Sequence, residues 1–141
     1  MSASVPASQG VIPARRRGAH TVRVMIADHQ QLFRGFLKRM LQTDPMLKVV
    51  AEAADGNEAV RLATQLDPDL VLMNIDMPQP DGLEVTRQIK ASRPGTKVIL
   101  LSSVGDSAHN RAAMDSGAEA FLAKDAPVAE LRALVWGTLK P

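Results

Sequence analysis

The chain has no cysteine in its 141 residues. That excludes disulfides and thiolate metal sites and fits a reducing compartment. No apolar run approaches the length of a membrane span: the longest, residues 70–73 and 98–101, have the length of buried strands. A broad field of one sign is also missing. The formal charge is +2, but residues 1–20 carry Arg15, Arg16 and Arg17 and no acid. The remainder sets 14 Lys/Arg against 15 Asp/Glu, so it has no general attraction for nucleic acid. No internal repeat is present. A cytoplasmic location is expected, with tethering to a membrane through a partner as the variant.

What is present is one domain's worth of chain, with 45% hydrophobic and 23% charged residues, a globular balance. Residues 1–20 are rich in Ser, Pro and small residues and show no period. They read as a flexible basic arm. The arm lacks the apolar core of a secretory signal; an organelle transit peptide is the lesser alternative.

From Thr21 to Pro141 the pattern alternates between short apolar runs and helical spacing. Strands are predicted over 22–27, 49–53, 70–73, 97–101 and 120–123, and helices over 31–41, from Gly56 to about 66, over 83–91, 106–116 and from Pro127 to about 139. In the first helix Leu32, Phe33, Phe36, Leu37, Met40 and Leu41 recur at helical spacing. Asp44-Pro45 stops it, and Gly117 closes the fourth. Strands alternating with helices argue for an α/β fold: a doubly wound, five-stranded parallel sheet with five helices in three αβα layers. In such sheets the functional crevice lies at the carboxyl ends of the strands. Asp28, His29, Asn74, Asp76, Ser102, Ser103 and Lys124 fall there.

The segments IADHQQLFRG, LVLMNIDMPQPDGLEV, VILLSS and GAEAFLAKD, in that order, resemble response-regulator receiver domains of the LuxR/NarL type. The likeness spans about residues 22–140. It implies a CheY-like, flavodoxin-like fold and a pocket of five positions. Two adjacent acids after the first strand hold magnesium. An Asp ending the third strand accepts phosphate. A Ser or Thr ends the fourth strand and a Lys the fifth. This sequence supplies Asp28, Ser102 and Lys124, and departs at His29, the second acid position, and Asn74, the acceptor position. Met77-Pro78 and Asp81-Gly82 fall where the family places them, which fixes that alignment.

Both departures have chemical consequences. An acyl phosphate forms when a carboxylate oxygen attacks phosphorus. An Asn amide is close in shape but is a poor nucleophile. Magnesium prefers hard oxygen ligands, whereas His29 offers nitrogen. The charges of Asp28 and Lys124 cancel, so magnesium binding is expected to be weak or absent, with no cofactor and no catalysis. Lys124 is expected to pair with Asp28 or to donate to the Asn74 side-chain oxygen.

Several residues carry two readings. Asp76 is the alternative phosphoacceptor, although its side chain is expected to point away on the loop. His29 is expected to be a hydrogen-bonded filler in preference to a phosphohistidine or zinc ligand. Phe121, at the family's aromatic switch position, is either a residual gate or a half-exposed core aromatic. Met25, Met40, Met73, Met77 and Met114 are expected to fill the core.

The function expected from this reading is that of a degenerate, stand-alone pseudo-receiver. It would bind a protein partner, as accessory subunit of a larger bacterial assembly, through its last helices and its N-terminal arm (Arg15–Arg17), ordered on that partner. Family members of this type carry a helix-turn-helix output domain after the receiver; none is expected here, and so no direct DNA binding. The rival is a phosphorelay receiver using Asp76, or an Asp→Asn variant of an active regulator.

Overall fold

This computed structural model describes residues 21–140; the expected arm, with Arg15, Arg16 and Arg17, lies outside them. Five apolar runs form β1 (Val22–Ala27), β2 (Leu47–Ala53), β3 (Leu70–Asn74), β4 (Lys97–Ser102) and β5 (Ala120–Ala123). Between and after them lie α1 (Gln31–Gln42), α2 (Gly56–Leu66), α3 (Gly82–Ser92), α4 (Ser107–Asp115) and α5 (Val128–Leu139). Every strand pairing is parallel, in the order β2-β1-β3-β4-β5.

Alternation along the strands sorts the core into two layers. Val24, Ile26, Leu70, Leu72, Ile99 and Leu101 pack with Leu37, Met40 and Leu41 of α1 and Leu131 and Val135 of α5. Their neighbours Met25, Ala27, Val71, Met73, Val98 and Leu100 pack with Ala59, Ala63, Val85, Ile89 and Ala113 of α2, α3 and α4. Both faces of the sheet are therefore covered, as the continuous apolar strands require.

Asp55, Asp81 and Asp106 start α2, α3 and α4 by accepting the backbone N–H of Glu58, Glu84 and His109. Each satisfies a donor that the first helical turn leaves unpaired. Asp106 and Ser116 are thus caps, which makes α4 shorter than the predicted 106–116. β2 starts at Leu47 because Leu47 pairs with Val22 and buries its side chain, a long-range register with no local signal. Three apolar positions differ from expectation, Phe36 among them at 39% exposed. Leu32 is 89% exposed, off the buried stripe of α1, and Met114 is 47% exposed, not in the core.

The strand order positions the site. The chain runs from β1 outward to β2, then returns across β1 to β3. That reversal opens a crevice between the carboxyl ends of β1 and β3. Gly82 presses α3 against this end: a Cβ there would lie 2.5 Å from Asn74 O and 2.8 Å from Ile75 Cα.

Candidate functional site

Asp28 follows the last residue of β1 and is 1% exposed. Its Oδ1 accepts the backbone N–H of Gln30 at 2.8 Å. Its Oδ2 receives no hydrogen bond and is held by charge, with Lys124 Nζ 2.8 Å away. Lys124 follows β5 and reaches across the sheet end toward β1. Its ammonium also donates to Gln30 Oε1 at 2.7 Å and sits 4.1 Å from the centre of the Phe33 ring. Of the two partners expected for Lys124, Asp28 is the one found.

Asn74 ends β3 and is 3% exposed. Its Oδ1 accepts the backbone N–H of Asp76 at 3.1 Å, an Asx-type turn that commits the amide oxygen to the chain's own loop. Ser102 ends β4, is buried, and its Oγ accepts the N–H of Val104 at 3.0 Å. The Asp76 carboxylate is exposed and makes no hydrogen bond or ion pair among the described residues.

Beside them an open cavity of about 550 Å³ lies at the ends of β1, β3, β4 and β5, with Asp28 and Ser102 outside its lining. His29, Asn74, Asp76, Ser103 and Lys124 line it, as their strand-end positions imply. His29 departs from its expected role. Its side chain is 45% exposed, makes no hydrogen bond among the described residues, and stands 3.8 Å from Asp28 Oδ1. Its loop position leaves the ring half-exposed at the cavity wall, so it does not act as a buried filler. Phe121 is half-buried against the layer under α2, α3 and α4, away from the lining of this cavity.

Sequence reasoning missed Gln30, Phe33 and Asp125, which also line the cavity. Gln30 and Phe33 share the β1–α1 segment with Asp28, and Asp125 follows Lys124, so adjacency to motif residues was the available signal. Among the described residues no group of three or more His, Asp or Glu is placed to hold a metal ion. No helix among them is long and apolar enough to cross a membrane.

A sequence-family model for the response regulator receiver domain matches residues 24–136. The chain belongs to the response regulator receiver family. This receiver domain is 38% identical to the transcriptional regulatory protein DegU of Brevibacillus brevis over 104 residues, 74% of this chain and 44% of DegU. It is 40% identical to LnrK of Bacillus subtilis over 104 residues, 74% of this chain and 47% of LnrK. The chain thus spans about half the length of these curated relatives. The signal receiver domain of the putative response regulator NarL from Mycobacterium tuberculosis superposes with TM-score 0.80 at 33% identity, over 84% of this chain and 96% of that one. A chain in the structure of the P1 domain of CheA3 in complex with CheY6 from R. sphaeroides matches with TM-score 0.74 at 34% identity, over 86% of this chain and 98% of that one. Among relatives, a protein-glutamate methylesterase/protein-glutamine glutaminase of Myxococcus xanthus is 43% identical over 105 residues, 73% of this chain and 30% of that enzyme.

Proposed function

We propose that this receiver domain is a phosphorylation-independent protein-binding module, an accessory subunit of a larger assembly, with no catalytic role of its own. The observation that carries the reading is the amide at the end of β3. Asn74 offers no carboxylate oxygen to attack phosphorus, and its one side-chain oxygen already accepts from Asp76 N–H.

The donor set supports the same reading for magnesium. The ion favours octahedral coordination by hard oxygens. Here Asp28 uses one oxygen on Gln30 N–H and the other on Lys124, and His29 brings nitrogen. These residues do not fit the ion, and weak or absent binding follows. Lys124 supplies the positive charge in its place.

Docking through the last helices is supported by Val104 and Met114, each 47% exposed beside and on α4. The Arg15–Arg17 run is the proposed second contact. A protein partner is favoured over DNA because the domain is near neutral outside its arm. Residence in the cytoplasm, or at a membrane through the partner, belongs to the same proposal.

The test is incubation with phosphoramidate and Mg²⁺, followed by intact mass. No gain of a phosphoryl group is expected. A stable gain that disappears in Asp76→Asn supports the phosphorelay rival instead. Affinity purification of the native protein is expected to retrieve a stoichiometric protein partner. Recovery of the chain alone at monomer size contradicts the subunit role.

A further inference from the structure

We propose that the cavity at the carboxyl ends of β1 and β3 binds a small zwitterion of the amino-acid class. The inference rests on the reading that position 74 takes no phosphoryl group.

Four features of the cavity select this chemistry. Its volume of about 550 Å³ is that of a small-molecule site, not of a single ion. Its floor carries an unused donor. Asn74 is 3% exposed and spends Oδ1 on Asp76 N–H, while Nδ2 has no partner among the described residues. The one sealed side-chain polar atom without a hydrogen bond among those residues is Asp28 Oδ2. Nδ2 is therefore not sealed, and it opens into the cavity that Asn74 lines. An amide N–H that reaches the cavity with no acceptor from the protein is a donor that a ligand oxygen can take in place of water.

Beside it, the Lys124 ammonium has three protons, of which one goes to Gln30 Oε1 and one faces Asp28 Oδ2. The third has no oxygen acceptor among the described residues, with the Phe33 ring centre 4.1 Å from the nitrogen, and a ligand oxygen can compete for it. Asn74 and Lys124 together thus form a carboxylate-binding floor.

The rim has the opposite character. Asp76 and Asp125 line the cavity, are exposed, and carry no hydrogen bond or ion pair among the described residues. They attract a cationic group. The Phe33 ring, beside the Lys124 ammonium, adds an apolar part to the lining.

This polarity argues against simpler occupants. A free anion such as phosphate must pass two carboxylates, with Asp28 already cancelling the Lys124 charge. A simple cation, once inside, meets the Lys124 ammonium. A zwitterion places its carboxylate on the floor and its ammonium at the rim, and both ends gain.

Isothermal titration with a panel of free L-amino acids tests this, with inorganic phosphate and putrescine as controls. Saturable binding of at least one amino acid below about 10 mM is expected, with both controls about tenfold weaker or more. The double variant Asp76→Asn/Asp125→Asn changes exposed residues only and should weaken binding about tenfold. Asn74→Leu should abolish it while leaving the thermal transition cooperative. The proposal is overturned if no amino acid binds below about 10 mM, if phosphate or putrescine binds equally well, or if the double variant binds unchanged. Phosphoryl uptake by the wild type would instead sink the parent reading, so the two failures are distinguishable.

Discussion

Lys124 Nζ lies 2.8 Å from Asp28 Oδ2, joining the segment after β5 to the end of β1. The two side chains are 12% and 1% exposed, so the pair is largely shielded from water. The same ammonium holds Gln30 and lies over Phe33, which ties the start of α1 to the start of the α5 segment. A receiver pocket with one buried carboxylate and one ammonium is neutral at its centre, and this pair is the reason.

Lys124→Met is therefore expected to destabilise the fold by about 3 kcal/mol, because it strands a buried carboxylate without its cation. The double variant Asp28→Asn/Lys124→Met should recover most of that loss. Urea denaturation of the three proteins measures both effects. Equal losses in the single and double variants would mean that the packing of Lys124 on Phe33, and not the charge pair, carries the stability.

Asn74→Asp places a second carboxylate in a buried site beside Asp28, with only one ammonium to share. Like charge and desolvation raise the new group's pKa in the folded state. The sign follows: its penalty is full above that raised value and fades as pH falls through it. A loss of roughly 1–3 kcal/mol at neutral pH is expected, smaller in mild acid. His29→Asp added to this variant should make Mg²⁺ stabilising, since the pocket then holds three carboxylates. Thermal melts with and without MgCl₂ check both points; Mg²⁺-insensitivity of the double variant refutes the donor-set argument.

The sheet, its helices and the convergence of Asp28, Asn74, Ser102 and Lys124 were legible because strand ends in a doubly wound sheet meet at one edge. What local pattern could not give is which of its two expected partners Lys124 takes, and its added contacts with Gln30 and Phe33. Lys124 crosses from β5 to β1, where Asp28 and Gln30 both receive it. Leu32 shows the converse limit. It fits the helical spacing of Phe36 but sits one residue off the stripe that ends in Leu37, Met40 and Leu41, so it faces solvent. The start of β2 was misplaced because pairing with Val22 decides it.

Asp106 gives a pH handle away from the pocket. Backbone and side-chain hydrogen bonds from His109 hold its carboxyl below the usual 3.8. A depressed folded value means that Asp106 stabilises α4 above the unfolded range, and that this support is lost as pH falls through the folded value. NMR titration of the Asp106 carboxyl should show a midpoint below 3.8. Asp106→Ala should remove the cap and speed amide exchange in the first turn of α4 at neutral pH. Unaltered exchange there would deny the cap its role.

Two glycines should respond to alanine with opposite signs. At Gly82 the new methyl would meet backbone on two sides, Asn74 O at 2.5 Å and Ile75 Cα at 2.8 Å, and backbone cannot swing aside as a flexible side chain can. Gly82→Ala is expected to cost about 2 kcal/mol or more and to perturb the Asn74–Asp76 turn that shapes the cavity floor. Gly137 lies inside α5 and is exposed, and a Cβ there meets nothing within 4 Å. Gly137→Ala should stabilise the domain by about 0.5–1 kcal/mol, through a less flexible unfolded chain and better helix propensity. Denaturant midpoints for the two variants decide the matter. A neutral Gly82→Ala would show that the end of β3 and the start of α3 are not in close contact in solution, and the cavity floor would then be wider than described.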